Sequence, residues 1–202
     1  MKFNKKDLHF SIITGLIAGV IAWRVFIFLD LPEVRNISWY MLILVVPILW
    51  IVGVNLGYFL GRWLKFFNQF GKFAAVGFTN AAVYFGVLNV LIYYSGFNKG
   101  LWYSVFVAVA FTLGTIHSYF WNKYWVFSAD KGGVSGGELG KFFMVYIVAG
   151  IINTGIASGL VNFVTPMFGL TSDQWANIGG VAGSAAAIII SFVGVKLTVF
   201  KK

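Results

Sequence analysis

The chain has 202 residues, 59% hydrophobic and 10% charged, with a mean hydropathy of +0.85. Soluble domains carry about 25% charged residues, so this composition excludes an ordinary globular domain. The absence of cysteine excludes disulfides, zinc thiolates and cysteine nucleophiles, and the +9 net charge falls between apolar runs rather than in an aromatic-interleaved basic patch, which points to a membrane and away from nucleic acid.

Six apolar runs approach or exceed the roughly 20 residues needed to cross a bilayer: His9–Leu29, Trp39–Leu60, Phe73–Tyr94, Leu101–Phe120, Phe142–Val164 and Trp175–Val195. The first follows the basic Met1–Lys6 segment. It is longer than a signal-peptide core, lacks a small-x-small exit and contains Arg24, so it reads as a retained helix. The second carries Pro47 near its centre, which removes a backbone hydrogen bond and predicts a kink. Beyond it, Gly53, Gly57 and Gly61 make a one-per-turn small stripe suited to close helix contact. These two runs form an N-terminal hairpin, residues 1–64.

The other four runs occupy a second region, 65–200, which is a duplication. An ungapped offset of 73 positions pairs Phe70, Gly77, Asn80, Asn89, Gly96 and Trp102 with Phe143, Gly150, Asn153, Asn162, Gly169 and Trp175. The same offset pairs Ser118, Lys123, Val126 and Phe127 with Ser191, Lys196, Val199 and Phe200. Repeat one is 70–127, a glycine-rich linker is 128–140, and repeat two is 141–200. Each repeat holds two spans, so both enter the membrane in the same direction, related by a pseudo-twofold along the membrane normal. The glycine device of the second run recurs with Gly155 and Gly159 in the fifth run and with Gly179, Gly183 and Ala187 in the sixth. The linker ends Gly-Gly-Glu-Leu-Gly-Lys, but Ser135 and Phe142 stand where a phosphate loop requires glycine and Ser or Thr. The expected architecture is an all-α membrane protein of six transmembrane helices.

Orientation follows from the cations. Lys2, Lys5, Lys6, Arg62, Lys65, Lys72, Lys123, Lys131, Lys141, Lys196, Lys201 and Lys202 fall on one side, and only Arg35 and Lys99 on the other. The positive-inside rule then predicts a multi-pass protein of the cell membrane with both termini cytoplasmic.

The six acids, Asp7, Asp30, Glu33, Asp130, Glu138 and Asp173, read as loop or terminal residues. Without a carboxylate inside the bilayer, a proton-coupled cation exporter is disfavoured, and no acid–base pair or Ser/His/Asp arrangement suggests an enzyme. No metal or cofactor is expected. What remains is cationic and neutral polar. Lys123 and Lys196 occupy equivalent places at the cytoplasmic ends of the fourth and sixth runs, each followed by Val-Phe. A lysine at headgroup depth among aromatics, with Asn122 as an extra donor and Trp121 and Trp125 as interface anchors, suits a lipid phosphate; an ordinary snorkelling lysine is the competing reading. Asn80 and Asn153 lie well inside the hydrocarbon, where an amide either lines a polar path or bonds a neighbouring helix. Asn89 and Asn162, nine residues further on, face the opposite way. Arg24, near the outer end of the first run, either snorkels or meets an anionic headgroup. His117 reads as a structural histidine.

At these residues the chain resembles the GtrA-like family of small membrane proteins over roughly 70–200. The resemblance rests on Phe70-x2-Phe73-x3-Gly77-x2-Asn80 opening the first repeat and Trp121-Asn122-Lys123-x-Trp125-Val126-Phe127 closing it. Lys141-Phe142-Phe143, Gly150, Asn153 and Ser191-Phe192-x3-Lys196-x2-Val199-Phe200 echo them in the second. Val195 stands where Asn122 would be matched, and the N-terminal hairpin lies outside the usual four-helix unit. The resemblance implies translocation of a polyprenyl-phosphate-linked monosaccharide in surface polysaccharide or glycan synthesis, beside a membrane glycosyltransferase. Its implied partners are that lipid-linked sugar and membrane lipids, with a homo-oligomer compatible and no nucleic acid. The headgroup and path residues would be Lys123, Lys196, Asn122, Asn80, Asn153, Trp125 and Arg24. Two alternatives stand beside it: a non-transporting scaffold for the glycosyltransferase, and a transporter of another small anion.

Overall fold

The structure, a computed structural model, describes residues 3–33, 38–126 and 136–198, with side chains in the last segment described for 140 and 143–190. It is all-helical among those residues: α1 (Lys5–Phe28), a 3-10 turn (Trp39–Met41), α2 (Leu42–Leu60), α3 (Phe67–Ser95), α4 (Gly100–Trp121), a π-turn (Asn122–Val126), α5 (Gly136–Phe163) and α6 (Ser172–Thr198). Among the described residues, five stretches are long and apolar enough to cross a membrane: α1, Trp39–Leu60, α3, Gly100–Val126 and Phe143–Phe163. The last turns of α6, with Lys196, lie outside the residues whose side chains are described. Leu44, Ile48, Val52 and Leu56 of α2 share one outward face and stand more than half exposed. An apolar ridge of that kind suits a hydrocarbon solvent.

The described residues form two compact units, one within Met1–Gly86 and Gly114–Lys131, the other within Val87–Leu113 and Gly132–Lys202. In the first, α1 lies along α2. Asn4 caps α1 by accepting from the Asp7 N–H at 3.0 Å, and its own N–H donates to the Asp7 carboxylate at 3.2 Å, a reciprocal capping box. The buried face of α1 runs Asp7, Ser11, Thr14, Gly15, Ala18 and Gly19, small or polar positions at helical spacing. Gly15 seats against the Pro47 backbone, and a Cβ at Gly19 would lie 3.1 Å from Ile43 Cα and collide with the Leu42 carbonyl. Thr79 ties three helices together: its hydroxyl accepts from the Trp50 indole at 3.0 Å and donates to the Ala75 carbonyl at 2.8 Å, with the Thr14 carbonyl 3.3 Å away. Of the stripe expected on α2, Gly57 and Gly61 meet α3, a built Cβ lying 2.8 Å from the Phe67 carbonyl at the first and 3.0 Å from the Asn68 Nδ2 at the second, while a Cβ at Gly53 has nothing within 4 Å.

In the second unit α5 packs along α6. The buried residues of α5 are Val145, Ala149, Asn153, Ala157 and Val161, four apart throughout. Against them a Cβ at Gly179 would lie 3.0 Å from the Ala157 carbonyl, and one at Gly183 3.1 Å from the Ala157 Cβ. The glycine contact expected for α6 is therefore present. The one expected for α5 is not: Gly155 and Gly159 have nothing within 4 Å of a built Cβ. The reason is angular, because residues two from the Asn153–Ala157 line point away from it. Gly96, just past α3, and Gly169, in the turn between α5 and α6, are matched by the 73-residue offset and both take left-handed backbone, φ +73 and +70. Only glycine adopts that without strain.

Candidate functional site

The described residues hold one ion pair buried on both sides. Asp7, in the first turn of α1, is 1% exposed. Its Oδ1 lies 2.7 Å from Lys72 Nζ in the second turn of α3 and accepts from the Trp125 indole at 3.1 Å. Its Oδ2 accepts from the Tyr58 hydroxyl of α2 at 2.9 Å and from the Asn4 N–H. Four elements thus converge on one carboxylate. The Lys72 ammonium also sits 5.3 Å from the centre of the Tyr58 ring. An ion this deep is tolerable only when paired and fully hydrogen-bonded, and Asp7 meets both conditions. Apolar packing closes around it: Val54, Tyr58, Ala75, Val76, Trp125 and Val126 form a buried cluster. The Phe10 ring meets Trp121 and Trp125 edge-on at 5.3 and 5.8 Å.

The sequence placed Asp7 among loop or terminal acids, which the structure corrects, and counted Lys72 only as a cation of one membrane side, to which the structure adds its burial and its carboxylate partner. A signal was present. The Asn4-x-x-Asp7 spacing is that of a capping box, and Asp7 heads the small-residue stripe of α1, so an acid stands on the protein-facing side. Lys72, Ala75, Val76 and Thr79 likewise share the buried face of α3.

Of the residues expected to bind a headgroup, Asn122, Lys123 and Trp125 share the π-turn and face differently. Trp125 is 0% exposed; expected as an interface anchor, it lies in the core with its N–H on Asp7. Lys123 is half-buried, its ammonium 5.7 Å from the Tyr119 ring centre and 5.5 Å from that of Tyr124. The Asn122 amide turns back on α4, with Nδ2 at 2.9 Å from the Ser118 carbonyl and 3.0 Å from its hydroxyl, so it donates along its own helix. The Asn122 Oδ1 is buried without a partner among the described residues, as are the Asn80 Oδ1, the His117 Nδ1 and the Ser11 Oγ. The Trp121 indole donates to His117 Nε2 at 2.8 Å, which holds that imidazole in place.

The amides divide into two kinds. Asn80 lies on α3 against Gly114, whose built Cβ would be 3.2 Å from its Oδ1. Asn153 is fully buried and reaches the Ser184 hydroxyl of α6 at 3.3 Å, an interhelical bond. Asn89 forms a reciprocal amide pair with Asn177 at 2.7 and 2.8 Å. Asn162, 73 positions on, is exposed and accepts from the Gly100 N–H at 2.6 Å. Arg24 is exposed, its guanidinium 5.4 Å from the Trp23 ring. Lys196 falls outside the described side chains. In the second unit, a cleft of about 200 Å³ opens beside the helix turns, lined by Asn98, Lys99, Asn162, Pro166, Ser172 and Trp175. Asn98 is held there by a 2.8 Å bond to Asp173. Among the described residues, no three metal-ligating side chains gather.

Among protein families, the model described as GtrA/DPMS, transmembrane domain, matches residues 72–200. The match begins at Lys72 and contains Trp125, and it leaves Asp7 and Tyr58 outside. No curated protein and no solved structure matches the chain.

Proposed function

The chain belongs to the GtrA/DPMS transmembrane-domain family, and from that premise we propose that it moves a polyprenyl-phosphate-linked monosaccharide across the cell membrane, as a multi-pass protein with both termini cytoplasmic. The family match over 72–200 is the observation that carries this reading. A sugar phosphate cannot cross hydrocarbon unaided, because an unpaired charge there is prohibitive. Two features support a protein route. Lys123 presents a half-buried cation among tyrosine rings, with no carboxylate paired to it among the described residues. The Asn80 amide keeps an idle acceptor inside the helix bundle, and amides contact sugar hydroxyls without adding charge. The prenyl tail would remain in lipid.

Vesicles containing the purified protein and a labelled polyprenyl-phosphoryl sugar test the reading. The protein should bring inner-leaflet label to the outer face, and Lys123→Ala should slow that about tenfold or more, since a charge-assisted hydrogen bond is worth about 1.5–3 kcal/mol. Parent vesicles that move no label would refute transport and leave the scaffold reading. Orientation has its own test in this cysteine-free chain. Ser128→Cys should react with an impermeant maleimide only from the cytoplasm, and Ser172→Cys only from outside.

A further inference from the structure

The donors around Asp7 form an anion site whose anion comes from outside the domain that carries the cation. Lys72 and Trp125 lie inside the family match, whereas Asp7 lies in the extension that precedes it. The acids within 72–200 are Asp130, Glu138 and Asp173. Of these only Asp173 has a described side chain, and it bonds Asn98 in the other compact unit. An ammonium 2.7 Å and an indole N–H 3.1 Å from one oxygen are also what a phosphate oxygen requires. Lys72 stands in the second turn of α3 and Trp125 just past the end of α4, so both sit near helix ends rather than mid-helix. The π-turn is what turns Trp125 inward, and such turns concentrate at functional sites.

One further group points to a ligand larger than a carboxylate. Ser11 is fully buried, one turn beyond Asp7 on the same face of α1, and its hydroxyl has no partner among the described residues. A carboxylate offers two oxygens, both already saturated here. A phosphate ester offers three, and the idle Ser11 hydroxyl, one turn along the same buried face of α1, is the donor assigned to the third. Asp7 and Asn4 are joined by the capping box at the N-terminal end of α1, so the two can shift together.

We propose that Lys72, Trp125 and Ser11 form a phosphate-ester subsite that Asp7 occupies as a built-in competitor, so that the first turn of α1 closes the site until a phosphate displaces the carboxylate. The inference rests on the lipid-phosphate reading above, but it is read out by binding rather than by transport. The Tyr58 hydroxyl is then part of the latch, since it contacts Asp7 from the extension and is not among the subsite donors.

Full-length protein in neutral maltoside micelles, titrated with farnesyl monophosphate, with farnesol and with inorganic phosphate, tests this. Asp7→Asn removes the competing charge at nearly constant size and should tighten farnesyl monophosphate binding about tenfold or more. Tyr58→Phe, a milder change in case the first variant does not fold, should tighten it about threefold or more by loosening the latch. Adding Lys72→Gln to either variant should remove the gain. A gain for inorganic phosphate as well would mark a site for the free anion, and a gain for farnesyl monophosphate alone a site for the lipid ester; both support a phosphate subsite. Equal gains for farnesol, gains that survive Lys72→Gln, or no gain in a folded variant would overturn the proposal and leave Asp7–Lys72 a structural pair. If the parent transports and the variants show no gain, only the competitor fails. If the variants bind more tightly and nothing transports, the translocation reading fails and the subsite stands.

Discussion

The two compact units place polar groups in an apolar interior by opposite means. The first buries a full ion pair, Asp7 with Lys72, and surrounds it with neutral donors. The second buries neutral amides, of which Asn89 and Asn177 satisfy each other reciprocally. The distinction is one of consequence. Breaking an ion pair strands a charge, whereas breaking an amide pair strands a dipole, and only the first makes a latch that an outside anion can open.

The largest expected effect follows from that contrast. Asp7→Ala leaves Lys72 buried without its carboxylate and should cost about 3–5 kcal/mol of folding free energy, measured by denaturant unfolding in mixed micelles. The double variant Asp7→Ala with Lys72→Met should recover most of the loss. A cost below about 1 kcal/mol for the single variant would place the pair among weak surface bridges instead. In the other unit, Asn89→Leu should cost about 1–3 kcal/mol by taking the donor from the Asn177 Oδ1, while the Asn177 Nδ2 keeps its 2.9 Å bond to the Asp173 carbonyl, and Asn89→Leu with Asn177→Leu should come closer to neutral. Similar sensitivity of the two units to single and double changes would erase the contrast.

Smaller effects sharpen the same picture within the second unit. Gly183→Ala should destabilise by about 1–3 kcal/mol, since its Cβ meets the Asn153 carbonyl and the Ala157 methyl with no flexible neighbour to yield. Gly159→Ala, with open space at the same test, should instead stabilise by about 0.5–1 kcal/mol through helix propensity. Opposite signs for two glycines of one helix pair would confirm which face of α5 meets α6.

The residue pairs matched at the 73-residue offset show how much of this was legible beforehand. Gly96 and Gly169 were matched in sequence and are matched in backbone, because a left-handed turn demands glycine wherever it occurs. Trp102 and Trp175 were matched too, yet Trp102 is 55% exposed and Trp175 only 4%, its indole bonded to the Val164 carbonyl. Asn89 is locked in an amide pair while Asn162 is exposed beside Gly100. Identity at a fixed offset reports residue type. It does not report which neighbour the rest of the chain brings to each copy.

By itself, the sequence determined the helical class, the apolar runs and the α2 and α6 glycine contacts. Those follow from local composition and from periodicity along one helix, which need no partner to read. It also carried the family motifs between Phe70 and Phe200. Only the tertiary structure decided that Asp7 is a core residue, that Lys72 is its counter-ion, and that Trp125 turns inward while Lys123 does not. Asp7 and Lys72 are 65 residues apart, and Asp7 and Trp125 118. A charge near a helix end is stable either in water or against a buried partner, and the choice rests on what a distant segment places beside it.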